Sequence, residues 1–183
     1  MGNMTDQAPN DPITPEPDQA WKALSLVNDW IRHAESKVGV VLALGGVSAG
    51  ILYNMVKNQS DAGLLLNVVA VICAVCIVGI AVCAAIALIP RKKPQRNAEE
   101  VTNPLFFGDI ASKYDGDGLS YEAVLHALTG NATELTKHIA HQIHANAIVA
   151  HAKFTWTNRA IYALFGALAT LAVVAVIVGA KGA

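Results

Sequence analysis

Charge is scarce in this chain: 15% of its 183 residues are Asp, Glu, Lys or Arg, where an ordinary soluble domain carries about 25%. The formal net charge is only -1, so the Lys/Arg excess with which a nucleic-acid binder neutralises phosphates is missing. Nucleic acid drops out as a partner. Cysteine is nearly absent as well, and Cys73, Cys76 and Cys83 all fall inside one apolar stretch, where lipid and neighbouring helices would surround them and oxidative pairing is not expected. No further ligand accompanies them at the spacing of a zinc site, so they read as small packing residues and no metal is expected. No basic start leads directly into an apolar run, since the first such run arrives at Val38, and no cleaved export signal is expected. Ser/His/Asp order, a nucleotide-binding glycine loop and well-spaced paired carboxylates are all missing, which weakens any enzyme reading. The apolar stretches hold no Asp, Glu, Lys or Arg, which weakens a carrier or proton-pump reading, because such proteins place ionisable groups along their pathway.

What the chain has in abundance is apolar sequence, 54% of the whole. Gly63 to Ile89 runs for 27 residues without a charge, more than the ~20 needed to cross ~30 Å of hydrocarbon. No polar stripe at helical spacing interrupts it. Residues 38–56 form a second uncharged run and residues 160–180 a third. The first of these spans carries Gly39, Gly45, Gly46, Ser48, Ala49 and Gly50. Gly46 and Gly50 repeat the small-xxx-small spacing that lets helices approach closely in lipid, and they are the candidate packing residues for a helix neighbour and a homo-oligomer. Directly after Ile89 comes the basic cluster Arg91-Lys92-Lys93 with Arg96, which tends to stay cytoplasmic. That orientation puts eleven Lys/Arg inside against Lys57 and Lys181 outside. The N-terminus is therefore expected inside and the C-terminus outside, with Trp30 and Trp156 near the inner interface and Tyr53 near the outer one.

Between the spans the expected organisation is a disordered Pro-rich tail over 1–19 and a cytoplasmic amphipathic helix over 20–37, with Leu24, Val27, Trp30, Ile31, Ala34 and Val38 at steps of three and four. A tight external turn is expected from Lys57 to Ala62, and a cytoplasmic helical insert over 90–159. Within the insert, Leu105-Phe106-Phe107 is an apolar knot expected to dock. Asp115-Gly116-Asp117-Gly118 lacks the Gly and Glu register of a calcium loop and reads as a turn. Ser120 is expected to cap a short helix through Leu128, and Asn131 with Glu134 resembles a capping box. The next helix meets no Gly or Pro from Ala132 to Phe165, so one rod continuous with the third span is expected, its cytoplasmic part about 40 Å long. The fold class is all-α: an integral membrane protein with three transmembrane helices and a small helical cytoplasmic insert.

On that rod Leu135, Ile139, Ile143, Ala150 and Phe154 share a face, and Asn146 and Lys153 lie on it seven residues apart. Two readings stand. Asn146 bonds a neighbouring backbone and Lys153 snorkels towards headgroups, or both face a pocket closed by Phe106, Phe107 and Asp109, in which Phe stacks a base, Lys meets a phosphate and Asp accepts from base or ribose. His141, His144 and His151 fall on the opposite face and suit a solvated surface, a metal site or a pH sensor.

Trp30-Ile31 to Glu35-Ser36-Lys37 running into the first span, Asn103-Pro104-Leu105-Phe106-Phe107-Gly108-Asp109-Ile110, and the rod with Asn146 and Lys153 before a last span together resemble the membrane effectors of Pycsar, the pyrimidine cyclase system for antiphage resistance. The likeness covers about Ala20 to Ala180. It implies a bacterial inner-membrane protein that takes no cofactor and is paired with a cyclase making cyclic CMP or cyclic UMP on infection. That nucleotide would be the activating ligand, with Phe106, Phe107, Asp109, Asn146 and Lys153 as candidate contacts, and the effector would impair the membrane before phage mature. The competing reading is an ungated structural membrane protein that scaffolds partners through its rod.

Overall fold

A computed structural model describes residues 15–57, 59, 63–89 and 103–182. Among these there is no strand, and five helices make up the chain: α1 (Pro17–Val56), α2 (Leu64–Leu88), α3 (Phe107–Lys113), α4 (Gly118–Thr129) and α5 (Ala132–Gly182). The basic cluster after Ile89, most of the Lys57 to Ala62 turn and the first fourteen residues of the expected tail lie outside the described residues. α1, α2 and α5 are each long and apolar enough to cross a membrane, which bears out the three spans.

The expected amphipathic helix and first span are one uninterrupted helix. α1 starts at Pro17, three residues inside the segment assigned to the tail. Glu16 supplies its first acceptor, taking hydrogen bonds from the Gln19 and Ala20 amides at 3.1 and 3.4 Å. Proline suits the first helical position, where its missing N–H is no loss, and Asp18 adds a negative charge to the first turn.

The described residues divide into two compact units, one of residues 15–26 and 103–145 and one of residues 27–89 and 146–182. In the first, Leu24 packs with Leu128, Leu135 and Ile139, flanked by Ala20, Leu105 and Ile143. Gly116 turns the chain at φ +74°, a left-handed conformation that glycine adopts without strain, in keeping with the turn expected there. The α4 cap is Asp117, whose carboxylate accepts from the Ser120 amide at 3.1 Å. Ser120 is thus the third helical residue rather than the cap, because the aspartate three residues earlier reaches its N–H first. Asn131 caps α5 as expected, its Oδ1 accepting from Thr133 and Glu134 amides at 3.1 Å. The Asn131 amide itself donates to the Leu128 carbonyl.

The second unit is the membrane bundle. Val41, Ile80, Ala160, Leu164 and Ala167 form one buried cluster with Cys76, Ile77 and Cys83 against it; Val38, Ala84 and Ala87 form another, with Trp156 alongside. Small residues set the approach. A side chain on Gly45 would begin 3.1 Å from Ile80, and one on Gly166 would begin 3.2 Å from the Cys76 sulfur. Cys73 is fully buried and its thiol donates to the Ala167 carbonyl at 3.5 Å. The cysteines are packing residues. Hydroxyls within the helices bond their own backbone, Ser48 to the Leu44 carbonyl and Thr170 to that of Gly166, both at 2.8 Å, which satisfies them where lipid offers no partner. The outward faces of α2 and of the uncharged part of α1 are apolar, Val40, Val47, Val68, Val71, Val75 and Val78 among them, as a lipid-facing surface requires.

Candidate functional site

Lys153 sits at the end of the bundle where α2 finishes. Its position follows from helical spacing: Ala150, Lys153, Thr157 and Ala160 fall on one buried stripe of α5, so its long stem is carried inward with the alanines around it. The residue is 9% exposed, yet its ammonium is hydrogen-bonded. It donates to Glu35 Oε1 at 2.8 Å and to the Ala87 carbonyl at 3.1 Å. Glu35 belongs to α1 and Ala87 to the last turn of α2, whose carbonyls have no partner within their own helix. One cation therefore joins three helices, and it meets α2 at the negative end of its dipole. The Lys153 carbonyl in turn accepts from the buried Thr157 hydroxyl at 2.8 Å.

Two turns away along the same helices, Asn146 donates to the Asn28 side-chain oxygen at 2.8 Å. Between this pair and Lys153, α1 and α5 leave an open groove of about 400 Å³ lined by Val27, Trp30, Ala147, Ala150, His151 and Phe154. Trp30 meets Phe154 edge-on at 6.0 Å between centroids. The Lys37 ammonium stands 5.7 Å over the Phe154 ring, and the Arg159 guanidinium 4.4 Å over Trp156. Cations on aromatic faces at one end of the bundle are what an interfacial belt contains.

The remaining candidates belong to the other unit. The knot is organised by Asn103, which in the sequence is visible only as part of the Asn103 to Ile110 motif. Its amide donates to Asp109 Oδ2 at 2.9 Å, its side-chain nitrogen to the His138 carbonyl at 3.2 Å and to Gln142 at 3.3 Å, and its side-chain oxygen accepts from the Leu105 amide at 3.0 Å. Asp109 is buried and so holds the knot closed. Phe106 lies back over Gly108, where a side chain would begin 2.6 Å from its ring, and its ring stands 4.7 Å from that of Phe107. Leu105 docks as expected, but Phe107 is 79% exposed, because a single helical turn cannot bury both neighbours of a Phe-Phe pair. Asp109 is thus engaged with Asn103, Asn146 with Asn28, and Lys153 with Glu35 and Ala87. Asn146 and Lys153, polar residues on an apolar face, both meet side chains of α1, and their partners Asn28 and Glu35 lie 118 residues away along the chain.

His141, His144 and His151 are exposed. His138 is half-buried, and its pKa is lowered from the ordinary 6.5, first by burial and then by His141 and Lys137, against the opposing pull of Glu134. Gly46 and Gly50 have nothing within 4 Å of a built side chain. The contact inside the chain uses Gly45 instead, one position round the helix.

A family model described as the Pycsar effector protein domain matches residues 19–180. A Pycsar effector protein of Propioniciclava tarda, PtPycTM, is 42% identical over 142 residues, covering 78% of this chain and 70% of the relative. No solved structure matches.

Proposed function

This chain belongs to the Pycsar effector family, an antiphage defence effector from a system with a companion cyclase, and on that premise we propose that a cyclic pyrimidine nucleotide, cyclic CMP or cyclic UMP, switches it from a closed bundle to one that impairs the inner membrane. Infection stimulates the cyclase, the nucleotide binds the effector, and the cell is lost before phage mature. The protein performs no catalysis; its output is mechanical. It sits in the inner membrane with the N-terminus cytoplasmic and the C-terminus periplasmic, and several copies assemble through the Gly46 and Gly50 face of α1.

The observation that supports this reading is the Lys153 tie. Three membrane-capable helices are held at one end by a buried cation shared between a carboxylate and a carbonyl, a contact that is either made or broken rather than gradually deformed. Separating such a pair leaves the buried ammonium uncompensated at a cost of several kcal/mol, which favours the closed arrangement, and a ligand that binds the open one more tightly offsets that preference. Moving a 1:99 equilibrium to 99:1 takes about 5.5 kcal/mol of differential affinity, within reach of a few charge-assisted hydrogen bonds at ~1.5 to 3 kcal/mol each.

The test is dye entry into cells expressing this chain with a pyrimidine cyclase, with a catalytically dead cyclase, or alone. Permeabilisation only with the active cyclase is the expected result. Intact membranes in all three, with the protein inserted, would leave the ungated scaffold as the better account.

A further inference from the structure

We propose that the groove between α1 and α5 is the nucleotide site: it takes a cyclic pyrimidine mononucleotide, with the base against Trp30 and Phe154 and the cyclic phosphate at Lys37 and His151. The assignment rests on the reading above that such a nucleotide activates the protein, and it places the site within the membrane-bundle unit.

The groove has the parts a nucleotide needs. Its wall is aromatic, and Trp30 is half-exposed there, a large apolar surface that stacking would cover. Base stacking on an aromatic side chain is a common mode for unpaired bases. Ala147 and Ala150 leave the space that larger residues would fill. A volume of about 400 Å³ lies low in the range for small-molecule pockets, which suits one nucleotide better than two.

The two ends differ in chemistry. At one, the side-chain amides of Asn28 and Asn146 meet at 2.8 Å, and an amide offers both donor and acceptor, as reading a pyrimidine edge requires. At the other stands the Lys37 ammonium over Phe154, with His151 on the rim. Nearby carboxylates are each held by a cation, Asp29 by Arg32 and Glu35 by Lys153. The charge that faces the groove is therefore positive and favours an anionic ligand.

The position also explains how occupancy reaches the membrane. Ala150 and Phe154 flank Lys153 on α5, and Trp30 lies five residues before Glu35 on α1. A ligand wedged between these helices acts on the same two elements that the ion pair joins, so one that is held better when they part works against the tie.

Full-length protein in nanodiscs of phosphatidylethanolamine and phosphatidylglycerol, titrated by calorimetry with cyclic CMP, cyclic UMP and cyclic AMP, tests the site. The wild type is expected to bind one of the pyrimidine nucleotides, and Trp30→Ala, Ala147→Leu and Lys37→Gln each to weaken it at least tenfold with unchanged melting. Ala147 is exposed, so the leucine fills the groove without entering the core. No binding of either pyrimidine nucleotide by the wild type would remove the activation reading itself. Wild-type binding that persists within twofold in all three variants would overturn the groove and leave that reading standing. Binding lost in Phe107→Ala but kept in the groove variants would move the site to the α3 knot. If the variants instead change only the retention of phosphatidylglycerol, the occupant is a lipid headgroup and the proposal falls.

Discussion

Lys153 and Glu35 form one ion pair, but their exposures differ, 11% and 44% by side chain, and this asymmetry decides how each substitution behaves. With Glu35→Ala the ammonium remains buried against the Ala87 carbonyl alone, and a stranded buried charge costs about 3 kcal/mol. With Lys153→Met a stem of similar length is kept and the carboxylate turns to water, so the loss is about 1 kcal/mol. Denaturation in mixed micelles should therefore rank Glu35→Ala below Lys153→Met, with the double variant milder than Glu35→Ala. The reverse order would show that the Ala87 contact carries the tie without Glu35. A second residue-scale expectation concerns acidity. The lowered pKa of His138 means that protonation favours the unfolded state. Stability of its unit is thus complete above about pH 6.5 and falls as pH drops through that value towards the folded pKa. His138→Gln should flatten the fall, read as melting temperature between pH 5 and 7.5.

At the scale of elements, the contrast between neighbouring glycines on α1 separates a contact within the chain from the proposed assembly face. Gly45→Leu drives a side chain into Ile80, which already stands 3.1 Å from the position of the new Cβ, and should loosen α1 from α2 in a monomer. Gly46→Leu meets nothing within 4 Å and should leave the monomer's melting unchanged while reducing crosslinked oligomer and toxicity. Unchanged oligomer size in Gly46→Leu and Gly50→Leu would remove that face from the assembly. The same pair shows what was legible in the sequence. Long apolar runs gave the three spans, and the missing breaker gave the single α5, because both depend on local composition. The small-xxx-small spacing located a close-packing helix but not which of two adjacent glycines faces its own chain, since that is set by where α2 lies. Caps were readable only in part: Asn131 was recognised, whereas Asp117 was not, because Ser120 three residues on is an equally good candidate until the turn at Gly116 is known. Amide exchange at Ser120 should speed up in Asp117→Ala if the aspartate is the cap. Of the site, Asn146 and Lys153 stood out as polar residues on an apolar stripe, while Asn28, Glu35 and Asn103 did not, since a polar residue on a polar face gives no signal until its partner is known.

For the whole molecule, the proposed orientation predicts that a reporter fused after Ala183 acts in the periplasm and one inserted at Asp117 in the cytoplasm; the opposite pattern would invert the placement drawn from the basic residues after Ile89. The bundle also carries its own means of being watched. Cys73 lies fully buried with its sulfur at the Ala167 carbonyl, on the seam between α2 and α5. A thiol reacts as its thiolate, and in hydrocarbon it has no water into which to ionise. Alkylation of Cys73 by a small membrane-permeant reagent therefore requires the seam both to part and to become wet. Intact-mass measurement before and after nucleotide addition then distinguishes two kinds of damage: a hydrated pore along the seam tags Cys73, whereas disordering of the surrounding lipid by a bundle that stays shut leaves it unmodified.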